Sequence, residues 1–188
     1  MRAVLSLGSN LGDRLGYLQG AVDGLAGVLR AVSPVYENPA WGVVDQPDFL
    51  NAVVLVEAAE VDARGWLRRA QALEQAAGRR RTIRWGPRTL DVDVVTVDGI
   101  VATDPELTLP HPGAHQRVSV LLPWHDVQPD AVLPGHGPIA ALLDRLDRSP
   151  MRRRDDLALR PPPAPTGPSA GPPTGSPPAV PVEDTHSE

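Results

Sequence analysis

Four stretches of strand-like alternation and two of helical periodicity follow one another in the order β, α, β, β, α, β, and that order leaves few folds open. "AVLSLG" (3–8) alternates and stops at Gly8. Leu15, Leu18, Val22, Leu25 and Leu29 then recur at helical spacing behind Asn10 or Asp13 as cap, with several glycines that lower helix propensity. "VSPVYEN" (32–38) and "FLNAVVLVEA" (49–58) read as strands separated by a turn-rich loop containing Pro39, Gly42 and Pro47. Asp62 caps a second helix whose inward stripe is Trp66, Leu67, Ala70 and Leu73 and which Gly78 ends. "TLDVDVVTV" (89–97) is the fourth strand. This pattern predicts an α+β, ferredoxin-like βαββαβ fold, an antiparallel sheet with both helices on one face. Residues 107–148 add "LTLPHP" and then the C-terminal helical additions, a helix from about His115 to Trp124 and a short one near Ile139 to Leu146.

The domain is expected to span residues 1–148. "RSPMRRRDDLALR" (148–160) is a charge-dense exit, and from Pro161 the chain holds ten of its 22 prolines with almost nothing to bury. Residues 149–188 are therefore expected to be a disordered, proline-rich tail. No Cys occurs, so disulfides and thiol chemistry are excluded and a reducing, cytoplasmic setting fits. The N-terminal apolar run is too short for a signal peptide, and no stretch suits a membrane span. All 18 basic residues are Arg, which excludes the Walker A lysine and Schiff-base chemistry. A net charge of −5 argues against a general nucleic-acid binder, and one Phe with two Tyr cannot make a base-stacking sheet.

In "RWGPRTLDVDVV" (84–95), Asp91 and Asp93 point the same way along a strand, with α-carbons about 6–7 Å apart. Two like charges at that separation need either hydration, as on a half-solvated strand, or a bridging cation, for which Mg²⁺ suits carboxylates plus substrate phosphates. Five guanidiniums precede them, on Arg79, Arg80, Arg81, Arg84 and Arg88, in a loop with Gly86 and Pro87. Such a run is either a solvated loop or one that closes on polyphosphate, since guanidinium forks bind phosphate oxygens bidentately. His111 and His115 are spaced for a shared metal, but Pro112 and Gly113 intervene and no soft third ligand is near, so His111 suits a phosphate and His115 a cap or packing role. In "YENPAWGVVDQPDFLN" (36–51), loop backbone groups, Phe49 and Asn51 can hold a flat polar ligand or simply build a tight turn.

Taken together, "LSLGSNLGDR", "DQPDFLNAVV", "GRRRTIRWGPRTLDVDVV" and "LTLPHPGAHQR" resemble the successive signatures of the 6-hydroxymethyl-7,8-dihydropterin pyrophosphokinases of folate biosynthesis, over residues 3–135. The resemblance implies transfer of the β,γ-pyrophosphate of ATP to the pterin hydroxymethyl group, with AMP released and two Mg²⁺ ions held by Asp91 and Asp93. It places Arg79 and Arg88 in the catalytic loop. Gln71, Glu74, Arg81, Arg84, Trp85, Val94, Thr108, His111 and Arg117 fall at nucleotide-binding positions. Pterin-binding positions correspond to backbone at Asn38, Pro39 and Trp41, the Asn51 side chain, and stacking on Phe49. Ser119 stands where the family usually has a second stacking aromatic, a loss of about 1 kcal/mol by analogy with aromatic pairs. The resemblance also implies a monomer acting on small molecules.

Overall fold

A computed structural model describes residues 1–40, 46–79 and 86–163. The tail from residue 164 lies outside the described residues. The central strands are β1 (Arg2–Ser9), β2 (Leu29–Val32), β3 (Tyr36–Asn38), β4 (Phe49–Glu57) and β5 (Asp91–Val97), with helices α1 (Arg14–Gly24) and α2 (Ala63–Ala76). β1 pairs antiparallel with β4 on one side and β5 on the other, and β2 and β3 both pair with β4. This is the expected ferredoxin-like sheet with its second strand in two pieces. Pro34 cannot donate to the ladder, so the predicted strand 32–38 breaks there. Ser33 spans the break: its N–H donates to the Val53 carbonyl at 2.9 Å and its Oγ accepts from the Val53 N–H at 2.8 Å.

The first helix is shorter than its periodicity suggested. It ends at Gly24, and Leu29, read as part of the helical stripe, opens β2 opposite Val56. Glycines at 20, 24 and 27 favour helix weakly, and pairing with β4 takes the residues that follow. Asp13 is the cap, accepting from Gly16 N–H at 3.0 Å, while Asn10 is buried elsewhere. Asp62 caps α2 as expected, and Gly78 ends it at φ 66°.

Leu5, Leu7, Ala52, Val54, Val92 and Val94 face α1 and α2, where Leu18, Val22, Trp66 and Ala70 complete one core. The opposite face is also covered. Val4, Val53 and Val95 pack against α3 (Val118–Val127) and α4 (Ile139–Leu143) through Val118, Leu121, Trp124, Ile139 and Leu143. The C-terminal additions thus make a third layer, which is why β1 is buried on both faces from Ala3 onward.

The domain does not stop at 148. Arg152–Arg153 form an edge strand antiparallel to β3, Arg154 N–H donates to the Val35 carbonyl at 2.9 Å, and Leu159 is buried in the α1–α2 core. Residues 149–160, expected in the tail, are docked because the arginines meet a buried acid and the leucines meet the core. Among the described residues, no helix is long and apolar enough to cross a membrane.

Candidate active site

The pairing register lines up one row across three strands. Asp91 of β5 lies opposite Gly8 of β1, and Gly8 lies opposite Asn51 of β4. Strand alternation puts Asp91, Asp93, Phe49 and Asn51 on the same face of the sheet as Val53 and Val95, the face that α3 covers. Asp91 and Asn51 are two strand spacings apart, about 10 Å. Gly8 leaves the floor between them flat: a Cβ there would sit 3.3 Å from Asn51 Oδ1 and 3.6 Å from Phe49 Cδ1.

At one end of the row, arginines surround the carboxylates. Asp91 accepts from Arg79 Nη1 at 2.5 Å and from Arg88 Nη1 at 2.8 Å. Asp93 accepts from Arg117 Nη1 at 3.1 Å, and His111 Nε2 lies 3.7 Å from the same oxygen. β5 is an edge of the sheet, and the outward Val92 N–H is taken by Glu74 Oε1 at 3.0 Å, an oxygen that also accepts from Arg79. Glu74 thereby ties α2, β5 and the start of the arginine loop together. Burial first, and then the charge of Asp91, pushes the Asp93 carboxyl above the ordinary carboxylate range. Burial likewise pushes His111 below the ordinary histidine value, against the pull of Asp93, which favours the neutral ring.

The pterin-side candidates form the other end. Asn51 Nδ2 donates to Asn38 Oδ1 at 2.6 Å, and Asn38 Nδ2 donates to the Pro39 carbonyl at 2.7 Å. The Arg88 guanidinium stands over the Phe49 ring, 5.7 Å from its centroid, so the phosphate-side and ring-stacking residues meet in space.

Two residues to which the sequence reading gives no site role, Asn10 as a candidate helix cap and Gly8 as a strand end, complete this arrangement. Asn10, 1% exposed, accepts from Arg88 N–H at 2.8 Å and donates from Nδ2 to Gln46 Oε1 at 3.0 Å and the Pro47 carbonyl at 3.1 Å. It pins the end of the arginine loop to the segment before Phe49. Gly8 is the flat floor. Both lie in "GSN", whose turn-like composition carried no signal of contacts made far along the chain.

The structure brings Arg79, Arg88, Asp91, Asp93, Glu74, His111 and Arg117 into one cluster and Asn38, Pro39, Phe49 and Asn51 into another. Gln71 is exposed on α2 one turn before Glu74, and Thr108 Oγ1 donates to the Asp104 carbonyl at 3.1 Å. The Val94 side chain points into the α1–α2 core, away from the carboxylates. Trp41, Arg81, Arg84 and Trp85 lie outside the described residues. His115 does not join His111: it stacks on His136, with ring centroids 4.1 Å apart. Ser119 is half-buried in the first turn of α3, two residues after Arg117.

A ferredoxin-like scaffold that sets paired carboxylates and arginines beside an aromatic ring and amides has the parts of a phosphoryl-transfer enzyme with a flat polar acceptor. Comparison narrows this. Residues 4–129 match the family 7,8-dihydro-6-hydroxymethylpterin-pyrophosphokinase (HPPK), and the chain belongs to that family. A 2-amino-4-hydroxy-6-hydroxymethyldihydropteridine pyrophosphokinase of Mycobacterium leprae is 50% identical over 157 residues, 78% of this chain and 80% of that one. The protein so described from Mycobacterium tuberculosis strain H37Rv is 48% identical over 158 residues, 78% of this chain and 84% of that one. A crystal structure of wild-type Plasmodium falciparum HPPK-DHPS with pterin and p-hydroxybenzoate is 14% identical and superimposes with a TM-score of 0.60, showing the shared fold. The match covers 81% of this chain and 44% of that chain's length.

Proposed function

We propose that the row from Asp91 to Asn51 carries out the family's reaction: transfer of pyrophosphate from ATP to the hydroxymethyl group of 6-hydroxymethyl-7,8-dihydropterin, releasing AMP, in folate biosynthesis. The observation that carries this reading is the placement of Arg88, which touches Asp91 at one end of the row and covers Phe49 at the other. A bond between the pterin hydroxymethyl oxygen, which gives up its proton to solvent, and the β-phosphorus would form where those two ends meet as the bond from that phosphorus to the AMP oxygen breaks.

Two Mg²⁺ ions fit the donor set. Among the described residues no group of three or more His, Cys, Asp or Glu forms a dedicated cage, and the Asp91–Asp93 pair suits ions otherwise ligated by phosphates and water. Burial, and then the like charge of Asp91, raise the Asp93 carboxyl despite Arg117, and a bound cation would offset both. Mg²⁺ held by Asp91 and Asp93 would neutralise phosphate charge and orient the chain of phosphates. Arg79 and Arg88 now pair with Asp91, and on nucleotide binding they turn to phosphate oxygens, for which their planar forks are suited. Arg117 and neutral His111 bind and orient the nucleotide from the α3 side, with Gln71, Glu74, Arg81, Arg84, Trp85 and Thr108 completing its site and Val94, whose side chain is in the core, offering its backbone alone. Asn51, the Asn38–Pro39 backbone, Trp41 and Phe49 bind the pterin flat over Gly8. Positioning and charge stabilisation are the main protein contributions to such a transfer.

The chain acts alone in the cytoplasm, a reading that light scattering on the 20.0 kDa chain tests for its oligomeric part. The functional test is AMP release by the wild type and by Asp93→Ala, each with Mg²⁺ and ATP, with and without the pterin. Pterin-dependent AMP from the wild type and none from the variant is expected. Wild-type protein that is folded yet makes no pterin-dependent AMP would reject the reading.

A further inference from the structure

The segment that the sequence assigned to a tail lies behind the strands that carry the pterin half of the site, on the α1–α2 face of the sheet, where Glu37 points while Asn38, Phe49 and Asn51 point to the other face. Glu37, in the middle of β3 and 6% exposed, accepts from Arg14 Nη1 at 2.9 Å, from Arg154 Nη1 at 2.8 Å and from Arg152. Two of these three guanidiniums belong to the C-terminal segment. The third, on Arg14, donates from the same nitrogen to the Asp48 carbonyl at 2.7 Å, the residue directly before Phe49. Glu37 lies opposite Leu50, between Phe49 and Asn51, and is followed by Asn38, whose amide holds Asn51. Beyond the arginines, Arg160 closes the segment onto α1: its N–H donates to Gln19 Oε1 at 2.9 Å and its carbonyl accepts from Gln19 Nε2 at 2.8 Å.

A buried carboxylate is tolerable only when its charge is matched, and removing one partner of such a group costs more than the pair contributes. Burial pushes the Glu37 carboxyl upward, yet the three arginines outweigh it and hold the group below its ordinary value. Two charges at alternate positions of the strap, Arg152 and Arg154, converge on one acid, while Arg153 between them turns the other way toward Asp126, 3.7 Å away. Strand alternation at 152, 153 and 154 explains that split.

We propose that residues 152–160 form a positioning strap for the pterin half of the site, in which Arg152 and Arg154 act through Glu37 and Arg14 to hold Asn38, Phe49 and Asn51 in register. None of the strap residues touches substrate. They are positioning residues, and the inference rests on the functional reading above. Without the strap, β3 is left as a three-residue edge strand bearing an under-compensated buried acid, and the Asn38–Asn51 contact loosens.

The test is a comparison of steady-state constants for the wild type, Arg154→Ala, Glu37→Gln, the double variant, and chains lacking 150–188 or 164–188. Arg154→Ala is expected to raise the pterin KM about tenfold with the ATP KM unchanged, alongside a lower melting temperature from the under-compensated Glu37, because the misplacement falls on the pterin residues and not on the nucleotide end. Glu37→Gln should do the same, and the double variant should be no worse than Glu37→Gln alone, since both remove one interaction. Deleting 150–188 should reproduce the defect, and deleting 164–188 should not. An unchanged pterin KM in Arg154→Ala, or equal losses in the ATP and pterin constants, overturns the strap. If the longer deletion does not fold, the point variants decide. Absence of pterin-dependent AMP in the wild type would instead reject the functional reading, and the strap with it.

Discussion

At the scale of single residues, the site is a set of charges held close by geometry that would otherwise be unfavourable. Asp91 and Asp93 sit on one strand face, and each is compensated by guanidiniums delivered from a different part of the chain. The carboxylate pair and the arginine run are legible in the sequence because both are local patterns. Asn10 and Gly8 are not, because their importance comes from residues about 40 and 80 positions away. Gly8 carries a prediction. A valine there would place its Cβ 3.3 Å from Asn51 Oδ1 and its methyls deeper in the space above the row. Gly8→Val should therefore weaken pterin binding at least tenfold while leaving ATP affinity near the wild-type value, as isothermal titration with each ligand would show. Equal affinity for the pterin would mean that the substrate does not lie over β1.

At the scale of elements, propensity and pairing compete, and pairing decides the boundaries. The stripe from Leu15 to Leu29 is helical in period, but the last of it becomes β2 because β4 offers a ladder and the intervening glycines offer the helix little. Pro34 splits one predicted strand into two for the opposite reason, a missing donor. α2 behaves as read, since its cap, its stripe and its terminal glycine all agree. Trp66 anchors it, fully buried between the helix and the sheet. Trp66→Ala should cost about 3–5 kcal/mol in urea unfolding, the usual penalty for emptying a large aromatic site in a core. Glu74 projects from the same helix toward the carboxylates, so a smaller drop in stability with a large drop in turnover would mean that Trp66 acts mainly by setting the height of α2 over β5.

At the scale of the whole molecule, the sheet is sandwiched between two helical layers, and charged side chains join the layers at its edge. Tyr36 Oη donates to Asp126 Oδ2 at 2.6 Å, linking β3 to α3. Burial, and then the hydrogen bond and charge of Asp126, push the phenol up to about 12 from an ordinary 10.0. The folded protein therefore holds this proton more tightly than the unfolded chain. Its contribution is full below pH 10 and is lost as pH rises toward about 12. Urea midpoints measured across that window should fall with rising pH in the wild type and fall less in Tyr36→Phe. Identical slopes in the two proteins would show that the phenol is not the group responsible.

The sequence by itself determined the order of elements, the α+β class, the paired carboxylates with their arginine loop and the family, because alternation, helical period and short motifs are properties of neighbouring residues. Only the tertiary structure decided that α3 and α4 cover the second face of the sheet, that β1 carries the floor of the site, and that Arg152 and Arg154 reach back across the chain to Glu37. Each of these is a pairing over long sequence separation. Local composition read residues 149–160 as solvated charge, since nothing in "MRRRDD" encodes the buried acid that waits for it on β3.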